Sequence, residues 1–128
     1  MRLVEEIVDV QPGKTARSRR TSRPGDWYFD GHFPGRPVIP AVVLIELLAQ
    51  TAGLAIGSGT RPPSDLRVAA IGRFKFPSAA GVGAQLEATA TVVGRVGALI
   101  KVEGTVTANS VIVAAGDITL ADLSPAGS

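Results

Sequence analysis

The sequence predicts an α+β fold in which a long antiparallel sheet curls around one buried helix. Two observations predict it. A single helical run, 40–57, is apolar nearly all round, and six strand-like segments accompany it, two before and four after. A helix that is apolar on most sides must be wrapped by something, and a sheet is the simplest cover in a chain of 128 residues. That length fits one domain and leaves no room for a second core.

The elements follow in order. Leu3 to Val10 reads as a strand, Gln11-Pro12-Gly13 as a turn, and Lys14 to Thr21 as an alternating second strand, so the first pair is a hairpin. Residues 24–40 are rich in Pro and Gly and carry four of the six aromatics (Trp27, Tyr28, Phe29, Phe33), which marks a loop with its own packing. Pro40 suits the first turn of a helix, and Gly57 and Gly59 suit its end. After a polar loop at 58–66 come four β-branched-rich segments: Arg67 to Phe76, Ala84 to Gly94, Ala98 to Ala108 and Val111 to Leu120. The expected domain is 1–123, with 124–128 a short flexible tail.

Composition narrows the function. A hydrophobic fraction of 45% with 19% charged residues excludes a disordered tail, a collagen-like rod and a coiled coil. With no cysteine, disulfides, thiolate metal sites and a cysteine nucleophile are all impossible. Glu5, Glu6 and Asp9 interrupt the first residues where an export signal needs an apolar run, so the expected location is cytoplasmic. The apolar run Ala41 to Ile56, broken by Glu46 and Gln50, is too short for a membrane span.

The net charge is only +2, yet Lys14, Arg17, Arg19, Arg20 and Arg23 fall within ten residues. No aromatic interleaves them, which argues against nucleic acid. An acidic protein partner and a merely solvated edge strand both stay open.

Two residues stand out as chemistry. His32 is the only histidine, in the Pro/Gly-clamped run Gly31-His32-Phe33-Pro34-Gly35-Arg36-Pro37; a lone loop histidine is by default structural, but this rigidity suggests positioning. Glu46 lies mid-helix among apolar neighbours, with Gln50 one turn later on the same face. Both could belong to a polar seam or a subunit interface. If Glu46 is buried, its pKa should rise far enough for it to serve as a general acid.

The stretch Gly31-His-Phe-Pro-Gly-Arg-Pro-Val-Ile-Pro-Ala-Val-Val-Leu-Ile-Glu-Leu-Leu-Ala-Gln50 closely resembles the signature of the 3-hydroxyacyl-[acyl-carrier-protein] dehydratases of bacterial fatty acid synthesis, a hotdog-fold family. The fourteen-residue offset from His32 to Glu46 and three prolines of the pattern are kept. Leu3 to Lys14 and Ile71 to Pro77 also look like this family. Three departures mark a divergent member: Ala41 stands where the family has glycine, Glu5-Glu6 where Asp-Arg is usual, and the chain begins at the first strand.

The resemblance implies dehydration of 3-hydroxyacyl thioesters without metal or cofactor. It makes His32 and Glu46 catalytic, paired across a homodimer interface, with a trimer of dimers as a further assembly. Phe33, Ala41, Val42 and Gln50 would line or order the substrate site. Arg17, Arg19, Arg20, Arg36, Arg73 and Lys75 would meet the acidic acyl carrier protein. Family members that also isomerise the product usually carry aspartate where Glu46 stands, so glutamate implies dehydration alone. A hotdog thioesterase, and an inactive partner subunit or acyl-binding module, remain the competing readings.

Overall fold

The computed structural model describes residues 2–29, 38–57 and 62–125. The strands are β1 (Glu6–Gln11), β2 (Thr15–Thr21), β3 (Leu66–Lys75), β4 (Gln85–Val96), β5 (Leu99–Ala108) and β6 (Val111–Asp122), with one helix, α1 (Ala41–Ile56), between β2 and β3. All pairings are antiparallel, in the order β1-β2-β4-β5-β6-β3. Element boundaries match the sequence reading to within three residues. The largest shift is at β1, which starts at Glu6 rather than Leu3 because Leu3 and Val4 turn into the core. Ser124, expected in the tail, is tied down instead: its hydroxyl accepts from the Asp65 amide at 2.8 Å, and its own amide donates to Asp122 Oδ1 at 3.0 Å.

The helix approaches the concave face closely because the sheet is small there. Register aligns Ala16, Ala90, Gly104 and Gly116 across β2, β4, β5 and β6. A methyl group at Gly104 would fall inside the Leu48 side chain, and one at Gly116 would collide with Phe74. Leu47 and Leu48 are fully enclosed, and burying each contributes about 1.5–3 kcal/mol. One row further along, the buried Ser18 and Thr51 hydroxyls meet at 2.7 Å. Thr51 gives its proton to the Leu47 carbonyl, so Ser18 is the donor between them, and the helix is fixed in rotation as well as height.

Both ends of the helix are anchored by other parts of the chain. Gly13, at a φ of 78° in the β1–β2 turn, donates its amide to the Ala55 carbonyl at 2.7 Å, which satisfies one of the carbonyls a helix leaves free at its end. At the other end Val38 bridges Gly81, and the Ile39 amide donates to the Ala80 carbonyl. No helix among the described residues is long and apolar enough to cross a membrane.

Candidate active site

The sheet covers only one side of α1. Ten of its residues are buried, but Ala41, Val42 and Glu46 are exposed and Ile45 and Gln50 half-buried, forming a stripe along the open flank. The sequence reading of a helix buried on most sides holds for these ten residues, and no described strand lies over the exposed flank. Glu46, which the sequence left open as a buried carboxyl, is exposed in the protomer.

Glu46 and Gln50 border a groove of about 840 Å³ whose apolar wall comes from Val4, Ala49, Leu54, Leu66, Val68 and Leu120. Arg2 also reaches this groove. The sequence spacing placed Gln50 above Glu46, and the structure joins them: Gln50 Nε2 donates to Glu46 Oε1 at 3.1 Å. Gln50 Oε1 in turn accepts the backbone amide of Leu3 at 2.7 Å. Leu3 is a participant that sequence reasoning missed, since nothing in an apolar residue advertises its amide.

At the helix N-terminus Pro40 is the cap residue and provides no side-chain bond, and no described residue accepts from the Ala41 or Val42 amides. Val42 is 69% exposed. Two N–H groups and the positive end of the helix dipole thus lie four and five residues before Glu46, a setting suited to an oxygen that gains negative charge.

His32, Phe33 and Arg36 lie outside the described residues. The segments on either side of them are held. Tyr28 and Phe29 are buried in a short 3₁₀ turn (Trp27–Phe29), and Val38 and Ile39 are paired as described above.

The basic cluster is engaged by the protein itself. Arg19 pairs with Glu87 at 3.0 Å and with Glu6 at 3.8 Å, and Arg17 reaches Glu87 at 3.5 Å. Arg20 has a largely covered side chain and pairs with Asp26 at 3.2 Å, while Arg23 pairs with Glu5. The hydrogen bond from Arg23 holds the Glu5 carboxyl below its usual range. Burial pushes Asp26 upward, but the Tyr28 hydroxyl, the Arg23 amide and Arg20 outweigh it and leave Asp26 low.

The turn at Pro12-Gly13 alone would set Glu6 opposite Arg20, and an irregularity between Ile7 and Asp9 moves it to Arg19, so this pairing could not be read from the turn. Nor is β2 the solvated edge strand considered above, since it lies between β1 and β4. Of the proposed carrier contacts that the structure describes, Arg73 and Lys75 on β3 are exposed and make no ion pair with any described residue.

Six antiparallel strands around a single helix make this a hotdog-fold protein. Solved structures share the fold. The dehydratase heterocomplex ApeI:P from Xenorhabdus doucetiae aligns with a TM-score of 0.78 at 14% identity, over 94% of this chain and 82% of that one. A phenylacetic acid degradation protein PaaI from Thermus thermophilus aligns with a TM-score of 0.71 at 22% identity, over 94% and 95%.

The chain belongs to the FabA-like family, whose FabA-like domain matches residues 1–117. It is 37% identical over 120 residues to the 3-hydroxyacyl-[acyl-carrier-protein] dehydratase FabZ of Myxococcus xanthus, a match covering 90% of this chain and 77% of the relative. The corresponding enzyme of Moorella thermoacetica is 41% identical over 54 residues, a shorter match covering 42% of this chain and 38% of that protein.

Proposed function

We propose that this protein removes water from 3-hydroxyacyl thioesters carried on acyl carrier protein, giving trans-2-enoyl thioesters for fatty acid or related lipid and polyketide biosynthesis in the cytoplasm. The observation that carries the reading is Glu46: an exposed carboxyl at the mouth of an apolar-walled groove, close to an uncapped helix N-terminus. The groove suits an acyl chain. His32 takes a C2 proton, the C3–O bond breaks, and Glu46 protonates the departing hydroxyl so that it leaves as water. The electron pair freed at C2 becomes the new double bond. The Ala41 and Val42 amides support the thioester oxygen while it carries negative charge.

The working unit in this proposal is a homodimer in which His32 of one protomer serves Glu46 of the other. The two sheet edges support it. β1 is short and carries Glu6 and Asp9, while β3 spans ten residues and exposes Val68 and Ile71. A long edge strand that exposes apolar side chains is a site for strand pairing. Arg73 and Lys75, with Arg36, are the proposed contacts for the acidic carrier, and Phe33 and Val42 the proposed contacts for the substrate.

The test supplies 3-hydroxybutanoyl and longer 3-hydroxyacyl thioesters and follows enoyl absorbance together with free thiol. Enoyl formation that falls at least about a hundredfold in both His32→Ala and Glu46→Gln is the expected result. Thiol release without enoyl product would establish a thioesterase instead.

A further inference from the structure

Arg20 does more than pair with an acid. Its Nη2 donates to Asp26 Oδ1 at 3.2 Å, and its Nη1 donates to the Leu3 carbonyl at 3.2 Å. Its guanidinium also lies 5.7 Å from the centre of the Tyr28 ring, and Tyr28 donates to Asp26 Oδ2 at 2.6 Å. Leu3 is therefore gripped three ways: its side chain is in the core, its carbonyl is held by Arg20, and its amide points at Gln50. Only the oxygen end of a carboxamide accepts an N–H, so the Leu3 amide selects which end of Gln50 faces it. The Nε2 end is thereby turned toward Glu46 Oε1.

We infer that Arg20 is a positioning residue for Glu46, acting through the Leu3 backbone and the Gln50 carboxamide. The chain of bonds occupies Oε1 and leaves Oε2 as the oxygen that delivers the proton. Without it the Leu3 amide no longer selects the oxygen end of the carboxamide, and the hold of Nε2 on Glu46 Oε1 weakens. The inference rests on the proposed role of Glu46 as acid. It also gives Arg20 a role inside the protomer, in place of the carrier contact that the basic cluster suggested.

The test is a double-mutant cycle on the full-length protein with a small thioester substrate. Gln50→Leu should lower kcat by about tenfold or more and change KM by no more than about twofold, the signature of lost alignment rather than lost binding. Gln50→Glu keeps an acceptor for Leu3 but has no proton for Glu46 when ionised, so it should lose a similar factor while retaining its melting temperature. Arg20→Met should lower kcat too, and the pair Arg20→Met/Gln50→Leu should be no slower than Gln50→Leu alone, because both act on one chain of bonds.

Multiplicative losses in the pair, or a Gln50→Glu variant as fast as the parent, would overturn the inference. If Arg20→Met does not fold, Arg20→Lys enters the cycle in its place. The reading of Glu46 itself fails by a different result, namely undiminished dehydration in Glu46→Gln.

Discussion

Glu46 reaches past its helix by one methylene more than an aspartate would, roughly 1.5 Å. In the proposed role of Glu46 as acid, that difference bears on which carbon the proton reaches when geometry must hold near about 3 Å. With glutamate there, trans-2-decenoyl thioester incubated with the protein should yield no sustained cis-3 isomer, as resolved by chromatography of the products; accumulation of that isomer would refute the assignment. The polar pair was legible in the sequence, because a four-residue spacing stacks two side chains on any helix. Its orientation was not, because that depends on Leu3, 47 residues away in the chain. Burial was the harder quantity to read. An apolar composition shows that a helix is buried on most sides but not which stripe the described strands leave open, and that stripe runs through Glu46.

At the level of elements, the hairpin β1–β2 shows how charge can mislead when strand register is left out. Five basic residues in ten look like a docking patch, yet Glu5, Glu6, Asp26 and Glu87 answer most of them within the protomer. Two predictions belong here. Glu5 and Asp26 have folded pKa values below their usual 4.5 and 3.8, so their contribution to stability is complete above those values and is lost as pH falls through the folded ones. The melting-temperature gap between the parent and an Asp26→Asn variant should therefore be wide at about pH 7 and should close progressively below about pH 4. A gap independent of pH would show that the Asp26 charge contributes nothing. The second concerns β3: Arg73→Glu with Lys75→Glu should raise KM for carrier-bound substrate in a salt-dependent way and leave a small thioester unaffected. Equal loss on both substrates would remove β3 from the carrier surface.

For the molecule as a whole, the site is proposed to be divided between two chains. Mixing inactive His32→Ala and Glu46→Gln proteins under subunit exchange should restore activity, since mixed dimers regain one intact pair. No recovery despite demonstrated exchange, or a monomer by light scattering, would place both groups in one chain. The strand order also carries a consequence for synthesis. β2 pairs with β4, not with β3, so the first hairpin and the helix leave the ribosome before most of the sheet that covers them exists. At roughly 5–20 residues per second, the stretch from Gly57 to Asp122 takes about 3–13 s to follow. Until β4 and β5 follow within that interval, Leu47, Leu48 and Leu54 lack most of the strands that will enclose them, and the nascent chain is a ready client for chaperones that hold apolar segments.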